Sequence, residues 1–193
     1  MKTTSALAFG FTLIELMVTV AVAAILMTVA VPSLTTFLRN AELTTRVNSL
    51  LASINAARSE AMKRGRDAVI IPLDGSNWNT GMIAFVDVNG NRTYELGTDT
   101  LIYEKAEPLP SYLTITANNS PNASPPYIRF DAHGYPKPVS SDLRNFTMSI
   151  ARNDVTGSEE FSQTRRLIVA ITGRARTCKP VSATDSTCST TGN

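Results

Sequence analysis

An uninterrupted apolar segment near the start of the chain constrains the fold more than any other feature. Residues Leu16–Leu38 contain no charged side chain, and a single carboxylate, Glu15, stands directly before them. As a helix, this segment would be roughly 35 Å long at about 1.5 Å per residue. It is therefore long enough to cross a lipid bilayer, which needs about 20 residues. A lone acid at the mouth of such a segment is costly to bury in lipid, so Glu15 is interpreted as functional.

Two simpler interpretations of this segment stay open. A secretory signal peptide would have a charged start, a short apolar core and a small-residue cleavage site. Here the start carries only Lys2, and an acid precedes a much longer apolar run. A plain membrane anchor fits the length of the segment, but it gives no reason for Glu15.

The helical pattern is expected to continue beyond the apolar segment. Pro32 would remove one backbone hydrogen bond and kink or loosen the helix. Alternatively, the helix could end at Val31, because the residue before a proline avoids the α region. Apolar residues that recur every three or four positions form one stripe on a helix, and we therefore predict a helix that continues to Arg64 and stops at Gly65. The stripe consists of Leu43, Val47, Leu50, Ile54, Ala57 and Ala61.

Short runs rich in β-branched and aromatic residues follow Gly65, separated by turn residues. No alternation of strands and helices is visible, which predicts antiparallel sheets and an α+β fold. Asn89-Gly90 favours a tight β-hairpin, because type I′ turns need positive φ. The polar and proline-rich segment Asn118–Pro126 is predicted to be a surface loop. The predicted strands are Ala68–Pro72, Met82–Val88, Leu101–Lys105, Tyr112–Thr116, Tyr127–Phe130, Phe146–Ala151 and Leu167–Thr172.

Charge is distributed unevenly along the 193 residues, although the formal net charge is only +2. The segment Asp74–Glu107 holds six acids and two bases, whereas Phe161–Thr184 holds five bases and no acid. This asymmetry predicts a basic face directed at a partner. A solvated basic face without a partner is the alternative. The five basic residues are Arg165, Arg166, Arg174, Arg176 and Lys179.

The two cysteines, Cys178 and Cys188, lie close together near the C-terminal end. In an exported chain such a pair is interpreted as a disulfide, and a loop this short would add roughly 2–3 kcal/mol of stability. Two free surface thiols are the alternative. A zinc site would need about four ligands, and the single histidine, His133, is distant in sequence.

Other candidate sites give little support for catalysis or metal binding. The segment Asp87–Arg92 superficially resembles a calcium loop, but Arg92 and Thr98 stand where an EF-hand has glycine and glutamate. A plain turn is the preferred interpretation. His133 lies in a turn-like context without a serine or cysteine nucleophile motif. We therefore expect no enzymatic activity, no cofactor and no metal.

The N-terminal residues Gly10-Phe11-Thr12-Leu13-Ile14-Glu15 and the apolar run after them resemble the class III signal of type IV prepilins and pseudopilins. This resemblance implies that a prepilin peptidase cleaves the Gly10–Phe11 bond and that Phe11 becomes the methylated N-terminus. It also implies that Glu15 acts in filament assembly.

The globular part resembles the GspH/FimT type of minor pilin or pseudopilin. The resemblance rests on Trp78, on the strand Gly81–Asp87 with its Asn89-Gly90-Asn91 turn, on Phe130–Gly134 and on Ile171–Arg176. It implies one long N-terminal helix with a β-domain packed on its second half. The expected organisation is a leader at 1–10, a transmembrane and filament-core helix at 11–38, its amphipathic continuation at 39–64, a GspH-like β-domain at 65–177 and a disulfide-bonded tail at 178–193.

The resemblance also implies a function. A subunit of this kind is held in the bacterial inner membrane and is then incorporated in an extracellular pilus with other pilins and minor pilins. In FimT-like minor pilins, a Gly-Arg-x-Arg element is associated with DNA binding in natural transformation. The alternative is a purely structural subunit, either a pilus-priming minor pilin or a type II secretion pseudopilin without DNA binding.

The Gly-Arg-x-Arg match assigns DNA contact to Gly173, Arg174 and Arg176. In an extended chain these two arginines would point the same way, about 6.7 Å apart at roughly 3.3 Å per residue, and each could grip a phosphate. No aromatic residue lies between Gln163 and Asn193, so we expect phosphate contact without sequence preference. Both arginines could instead solvate a strand end or meet acids of another subunit. The expected supporting residues are Lys179, Arg165 and Arg166.

Overall fold

The computed structural model describes residues 11–137, 145–157 and 159–189. The chain divides into two compact units, Met1–Ala41 and Glu42–Asn193. A single helix, α1 (Leu13–Arg64), contributes to both of them.

The described part of the first unit is formed mainly by the N-terminal part of α1. Its described large apolar side chains are exposed from Leu16 to Leu38. The helix runs through Pro32 without ending, so the alternative of a helix end at Val31 is wrong. Within the described residues, α1 is the one helix long and apolar enough to cross a membrane by length and composition.

The described part of the second unit contains the rest of α1 and eight β-strands. A short helix, α2 (Glu159–Ser162), precedes the seventh strand. The strands are β1 (Ala68–Pro72), β2 (Met82–Val86), β3 (Thr100–Lys105), β4 (Leu113–Ala117), β5 (Ile128–Phe130), β6 (Phe146–Arg152), β7 (Thr164–Val169) and β8 (Ala175–Cys178).

These strands form two four-stranded antiparallel sheets. The order in the first sheet is β3-β2-β1-β5, and the order in the second is β4-β6-β7-β8. Strand β8 is therefore an edge strand, and β7 pairs with it from Arg166↔Cys178 to Val169↔Ala175. The fold class is α+β with antiparallel sheets, as the sequence predicts.

The apolar stripe of α1 forms one wall of the main core. All six stripe residues, from Leu43 to Ala61, are at most 2 % exposed. They belong to one cluster with buried residues of both sheets, among them Ile70 and Phe130 of the first and Met148 and Leu167 of the second. Burial of one face of α1 explains why its second half is amphipathic.

The last two strands differ from the sequence prediction. The predicted strand Leu167–Thr172 is shifted, because β7 ends at Val169 and residues 170–174 make a turn. In this turn the Gly173 N–H donates to the Ala170 carbonyl, and the Ala170 N–H donates to the Arg174 carbonyl. The sequence pattern does not predict strand β8. The β-branched Ile171 and Thr172 are typical of a strand, so the turn that precedes β8 is not recognisable from the sequence.

The hairpin predicted around Asn89-Gly90 is present, but its connection is longer than a two-residue turn. Strands β2 and β3 do pair antiparallel, but residues 87–99 form a longer connection between them. Two carboxylates shape this loop through backbone N–H groups. Asp87 accepts from Gly90 and Arg92, and Asp99 accepts from Val88 and Glu95. Side-chain hydrogen bonds thus replace the hairpin turn.

The segment Asn118–Pro126 is only partly a surface loop. Its residues Ser120 and Pro121 are buried. The Pro121 carbonyl accepts a hydrogen bond of 2.8 Å from the indole Nε1 of Trp78, which is itself buried. A buried indole N–H needs such a partner, and this requirement draws the loop onto the core.

Candidate functional site

The start of α1 contains the predicted processing and assembly residues. Gly10 lies outside the described residues, and the side chain of Phe11 is exposed. The Glu15 carboxylate accepts hydrogen bonds from the Thr12 N–H at 2.9 Å and from its hydroxyl at 3.0 Å. In return, the Glu15 N–H donates to the Thr12 hydroxyl at 3.2 Å. Sequence reasoning missed Thr12, although the Thr-x-x-Glu spacing is the signature of this capping box.

The turn between β7 and β8 packs closely against the loop that follows β5. Gly173 is buried and has φ of 79°. A Cβ atom at this position would lie only 2.0 Å from the Gly134 carbonyl oxygen and 2.6 Å from Arg58 Nε. Glycine is therefore required at position 173 by both conformation and space.

Arg58 of α1 holds these two loops together. Its Nε donates to the Gly134 carbonyl at 2.9 Å, and its Nη2 donates to the Thr172 carbonyl at 3.2 Å. Sequence reasoning gave Arg58 no role. No local signal could reveal it, because both acceptors are far away in sequence.

The paired arginines of the Gly-Arg-x-Arg element differ in their surroundings. Arg174 is exposed at the start of β8, and Lys179 is exposed just after the strand ends. Arg176 is partly exposed, and its Nη1 donates to the Thr187 carbonyl at 2.9 Å. Within the described residues, none of the three forms a salt bridge with a carboxylate.

The two supporting arginines of β7 lie on opposite faces of the second sheet. Arg166 shares the outer face with Ser149 and Cys178. It is only 8 % exposed, and its Nη1 donates to the Cys188 carbonyl. Because Arg166 is buried, we correct its expected role: it holds the tail and does not present its charge at the surface.

Arg165 lies on the other face of the sheet, in register with buried Ile150. Its side chain is half-buried, and burial lowers the pKa of its guanidinium. Strands alternate their side chains between faces, so neighbouring positions 165 and 166 cannot serve one surface.

The C-terminal tail covers the outer face of the second sheet. A disulfide joins Cys178 to Cys188. Asp185 organises the loop between them, accepting bonds from the Thr187 hydroxyl at 2.7 Å and from the N–H groups of Val181, Thr187 and Cys188. These bonds lower the pKa of Asp185 to about 2, and the bond from the Thr187 hydroxyl has the largest effect.

The remaining candidate residues, Asp87 and His133, form hydrogen bonds that shape local turns. The two carboxylate oxygens of Asp87 accept the N–H groups of Gly90 at 2.7 Å and Arg92 at 2.9 Å. His133 is exposed in a turn, where its backbone N–H donates to the Asp131 carboxylate at 2.9 Å. Among the described residues, no group of three or more His, Cys, Asp or Glu side chains could hold a metal ion.

Two known families match the chain. The profile described as the prokaryotic N-terminal methylation motif matches residues 7–31. The profile described as type II transport protein GspH matches residues 46–173, well over half of the chain. The chain belongs to the GspH family. The match to GspH ends at Gly173, so Arg174, Arg176 and the disulfide-bonded tail lie beyond it.

Two solved structures, both described as the type IV minor pilin FimU of Pseudomonas aeruginosa strain PAO1, are similar to this GspH-family protein. The crystal structure in space group P21 has a TM-score of 0.54 at 20% sequence identity, covering 76% of this chain and 99% of that chain. The structure in space group P65 has a TM-score of 0.51 at 21% identity, covering 70% and 91%. At this identity the similarity shows the fold, which is that of type IV pilins. No curated protein matches the chain.

The family and the N-terminal motif together assign this GspH-family protein a structural role as a minor pilin or pseudopilin. Its apolar N-terminal helix and methylation motif indicate anchoring in the inner membrane before assembly with other pilins.

Proposed function

We propose that this protein is a minor pilin that binds extracellular DNA at strand β8 for uptake in natural transformation. The observation that carries the proposal is that the basic residues at this strand lack acidic partners in the described part of the chain. Within the described residues, Arg174, Arg176 and Lys179 have no carboxylate partner. Other basic residues of the described second unit are engaged within the protein. Some are paired with acids, namely Arg46, Lys63, Arg64, Lys105, Arg129 and Arg152. Others donate to backbone carbonyls, among them Arg58, Arg66 and Arg166.

The geometry of β8 suits a phosphate backbone. Arg174 and Lys179 flank this edge strand, roughly 16 Å apart at about 3.3 Å per residue, and Arg176 lies between them. Unpaired cations along an exposed edge neutralise phosphates and release counterions, which gives affinity without sequence preference. The resemblance of Gly173–Arg176 to the DNA-binding element of FimT-like minor pilins supports the same role.

The proposal includes the maturation expected from the sequence. We propose that a prepilin peptidase removes residues 1–10 and that Phe11 becomes the methylated N-terminus. Glu15 then pairs with the N-terminal amine of a neighbouring subunit in the filament. Mass spectrometry of the protein from its native host should find a methylated Phe11 at the N-terminus. A mature N-terminus near Ala30 would instead show ordinary signal-peptidase cleavage.

DNA binding can be measured on the full chain in a neutral maltoside detergent. A fluorescently labelled duplex should bind with a Kd of about 10⁻⁴–10⁻⁶ M at physiological salt, and binding should weaken as salt rises. Arg174→Gln should lower the affinity for every sequence alike and reduce the slope of log K against log salt by about one contact. The double variant with Arg176→Gln should lose about two contacts.

The matched control is Lys105→Gln. It removes the same charge from β3, an edge strand of the other sheet, where Lys105 pairs with Glu107. It should leave the salt slope unchanged. If the Arg174→Gln and Arg176→Gln double variant bound DNA as well as wild type, the proposal would be wrong.

A purely structural role as a type II secretion pseudopilin is the second candidate. It is favoured by the GspH profile, whose match stops before Arg174. In that case wild type would not bind DNA even at low salt. Deletion of the gene would then impair secretion of folded proteins and leave DNA uptake intact.

A further inference from the structure

We propose that a cleft between the second half of α1 and strand β8 binds a phosphate group. The cleft has a volume of about 260 Å³. The inference that a phosphate of the DNA backbone occupies the cleft rests on the proposed function, whereas the inference that free phosphate binds there does not. The cleft is lined by Thr44, Val47 and Asn48 of α1, by Arg165 of β7, and by Thr177, Cys178 and Lys179.

Arg165 supplies the main binding group. Its Nη1 donates to the carbonyls of Ser162 and Thr164, both at 2.9 Å. Within the described residues, its Nε and Nη2 have no hydrogen-bond partner and no carboxylate pairs with the guanidinium. Burial lowers the pKa of Arg165, and no acid of the described residues pairs with it to offset this cost. A half-buried cation in this state is stabilised when an anion enters the cleft.

The other lining residues complete a set of donors. Lys179 adds a second positive charge at the cleft, and among the described residues no acidic side chain lines it. The hydroxyl of Thr177 and the amide of Asn48 can each donate a hydrogen bond. An arginine fork with neighbouring donors matches the geometry of a phosphate.

The size of the cleft also fits. A water molecule occupies about 30 Å³ of liquid, so the cleft can hold one phosphate with part of its hydration shell. The cleft follows directly on β8, because Thr177 and Cys178 belong to that strand. Arg176 lies on the opposite face of the sheet from Arg165 and Thr177, so a DNA strand held by Arg176 would place a phosphate here by crossing the edge strand β8.

The test uses the full chain in maltoside micelles, because this detergent carries no phosphate. Inorganic phosphate is added, and backbone amide shifts of Asn48, Thr177 and Lys179 are followed by NMR. Wild type should bind saturably in the millimolar range. Arg165→Gln should weaken binding at least about tenfold, which is the effect of removing a charged donor. Arg165→Lys should retain part of the affinity.

Two further variants keep the test decisive. Lys179→Gln changes an exposed side chain, so it should preserve the fold and still weaken phosphate binding several-fold. Lys105→Gln, with the same charge change on β3, should have no effect. The proposal is overturned if wild type shows no saturable shifts, if Arg165→Gln binds phosphate normally, or if acetate binds as tightly as phosphate.

A parallel titration with a short oligonucleotide distinguishes the source of the phosphate. Competition between oligonucleotide and inorganic phosphate, lost in Arg165→Gln, would place a backbone phosphate in the cleft. Phosphate binding without any DNA binding would refute the proposed function but leave the cleft intact. DNA binding that depends on Arg174 but not on Arg165, together with no phosphate binding, would refute only the cleft.

Discussion

Gly173, the first residue of the Gly-Arg-x-Arg element, is required by the fold. It has a positive φ and no room for a side chain, because a Cβ would lie 2.0 Å from the Gly134 carbonyl oxygen. The glycine of the Gly-Arg-x-Arg element thus sets the turn and lets Arg58 bridge two loops. In the proposed DNA-binding role, we expect Gly173 to act only by setting the turn from which Arg174 follows.

Replacing Gly173 by alanine should separate the cost of strain from the cost of crowding. Gly90 has the same φ of 79°, but a Cβ atom at that position would have no neighbouring atom within 4 Å. We expect Gly90→Ala to cost about 1–2 kcal/mol for the positive φ, and Gly173→Ala to cost about 1–3 kcal/mol more for overpacking. Urea unfolding of both variants measures the difference. Equal losses would mean that the turn relaxes freely.

Asp185 makes the stability of the folded tail depend on pH, and its pKa gives the direction of that dependence. Its pKa falls from 3.8 to about 2 because the folded tail donates hydrogen bonds to its carboxylate. The stabilisation is therefore fully present above pH 3.8 and is lost as the pH falls towards 2. Hydrogen exchange should show that protection of the Val181, Thr187 and Cys188 amides decreases over this interval.

Asp185→Asn is the matched variant for this prediction. It removes the ionisable group and keeps the shape of the side chain, so the tail amides should be less protected at neutral pH. Their protection should also change little between about pH 4 and 2. If wild type and variant responded to acid alike, Asp185 would not organise the tail.

At the scale of elements, α1 combines two functions through one carboxylate. Glu15 caps the helix by exchanging hydrogen bonds with Thr12, and we propose that it also pairs with the amine of a neighbouring subunit. The two functions have different chemical needs. A cap needs an acceptor, which an amide also provides, whereas pairing with an amine needs the negative charge.

Glu15→Gln should therefore separate these roles. The variant keeps the capping acceptor and loses the charge, so we expect a normal helix by circular dichroism and poor incorporation into filaments. Glu15→Ala should lose both. Immunoblotting of sheared filaments measures incorporation. If Glu15→Gln were incorporated like wild type and Glu15→Ala were not, capping alone would explain the importance of Glu15.

Local patterns explain which elements could be predicted from sequence. The stripe of α1 has a helical period, and every residue of that stripe is buried as expected. The turn at residues 170–174 could not be predicted, because distant contacts of Gly173 with Gly134 and Arg58 fix it. The same holds for Arg166, which is buried by a tail that only the tertiary structure places over it.

At the scale of the whole molecule, the core lies entirely within the second unit. Its first member along the chain is Leu43, and no buried core residue of the described chain precedes it. We therefore expect a chain that begins at Phe37 to be soluble and to unfold cooperatively on heating, as followed by circular dichroism. A chain that begins at Leu51 should aggregate, since it lacks the stripe residues Leu43, Val47 and Leu50. Equal solubility of the two would show that this part of α1 is dispensable.

Because α1 supplies a wall of the core from Leu43 to Ala61, the globular unit begins inside the helix and not at the end of the helix. A protease that cut α1 between Leu43 and Ala61 would destroy the unit instead of shedding it. Only a cut before Leu43 could release it intact.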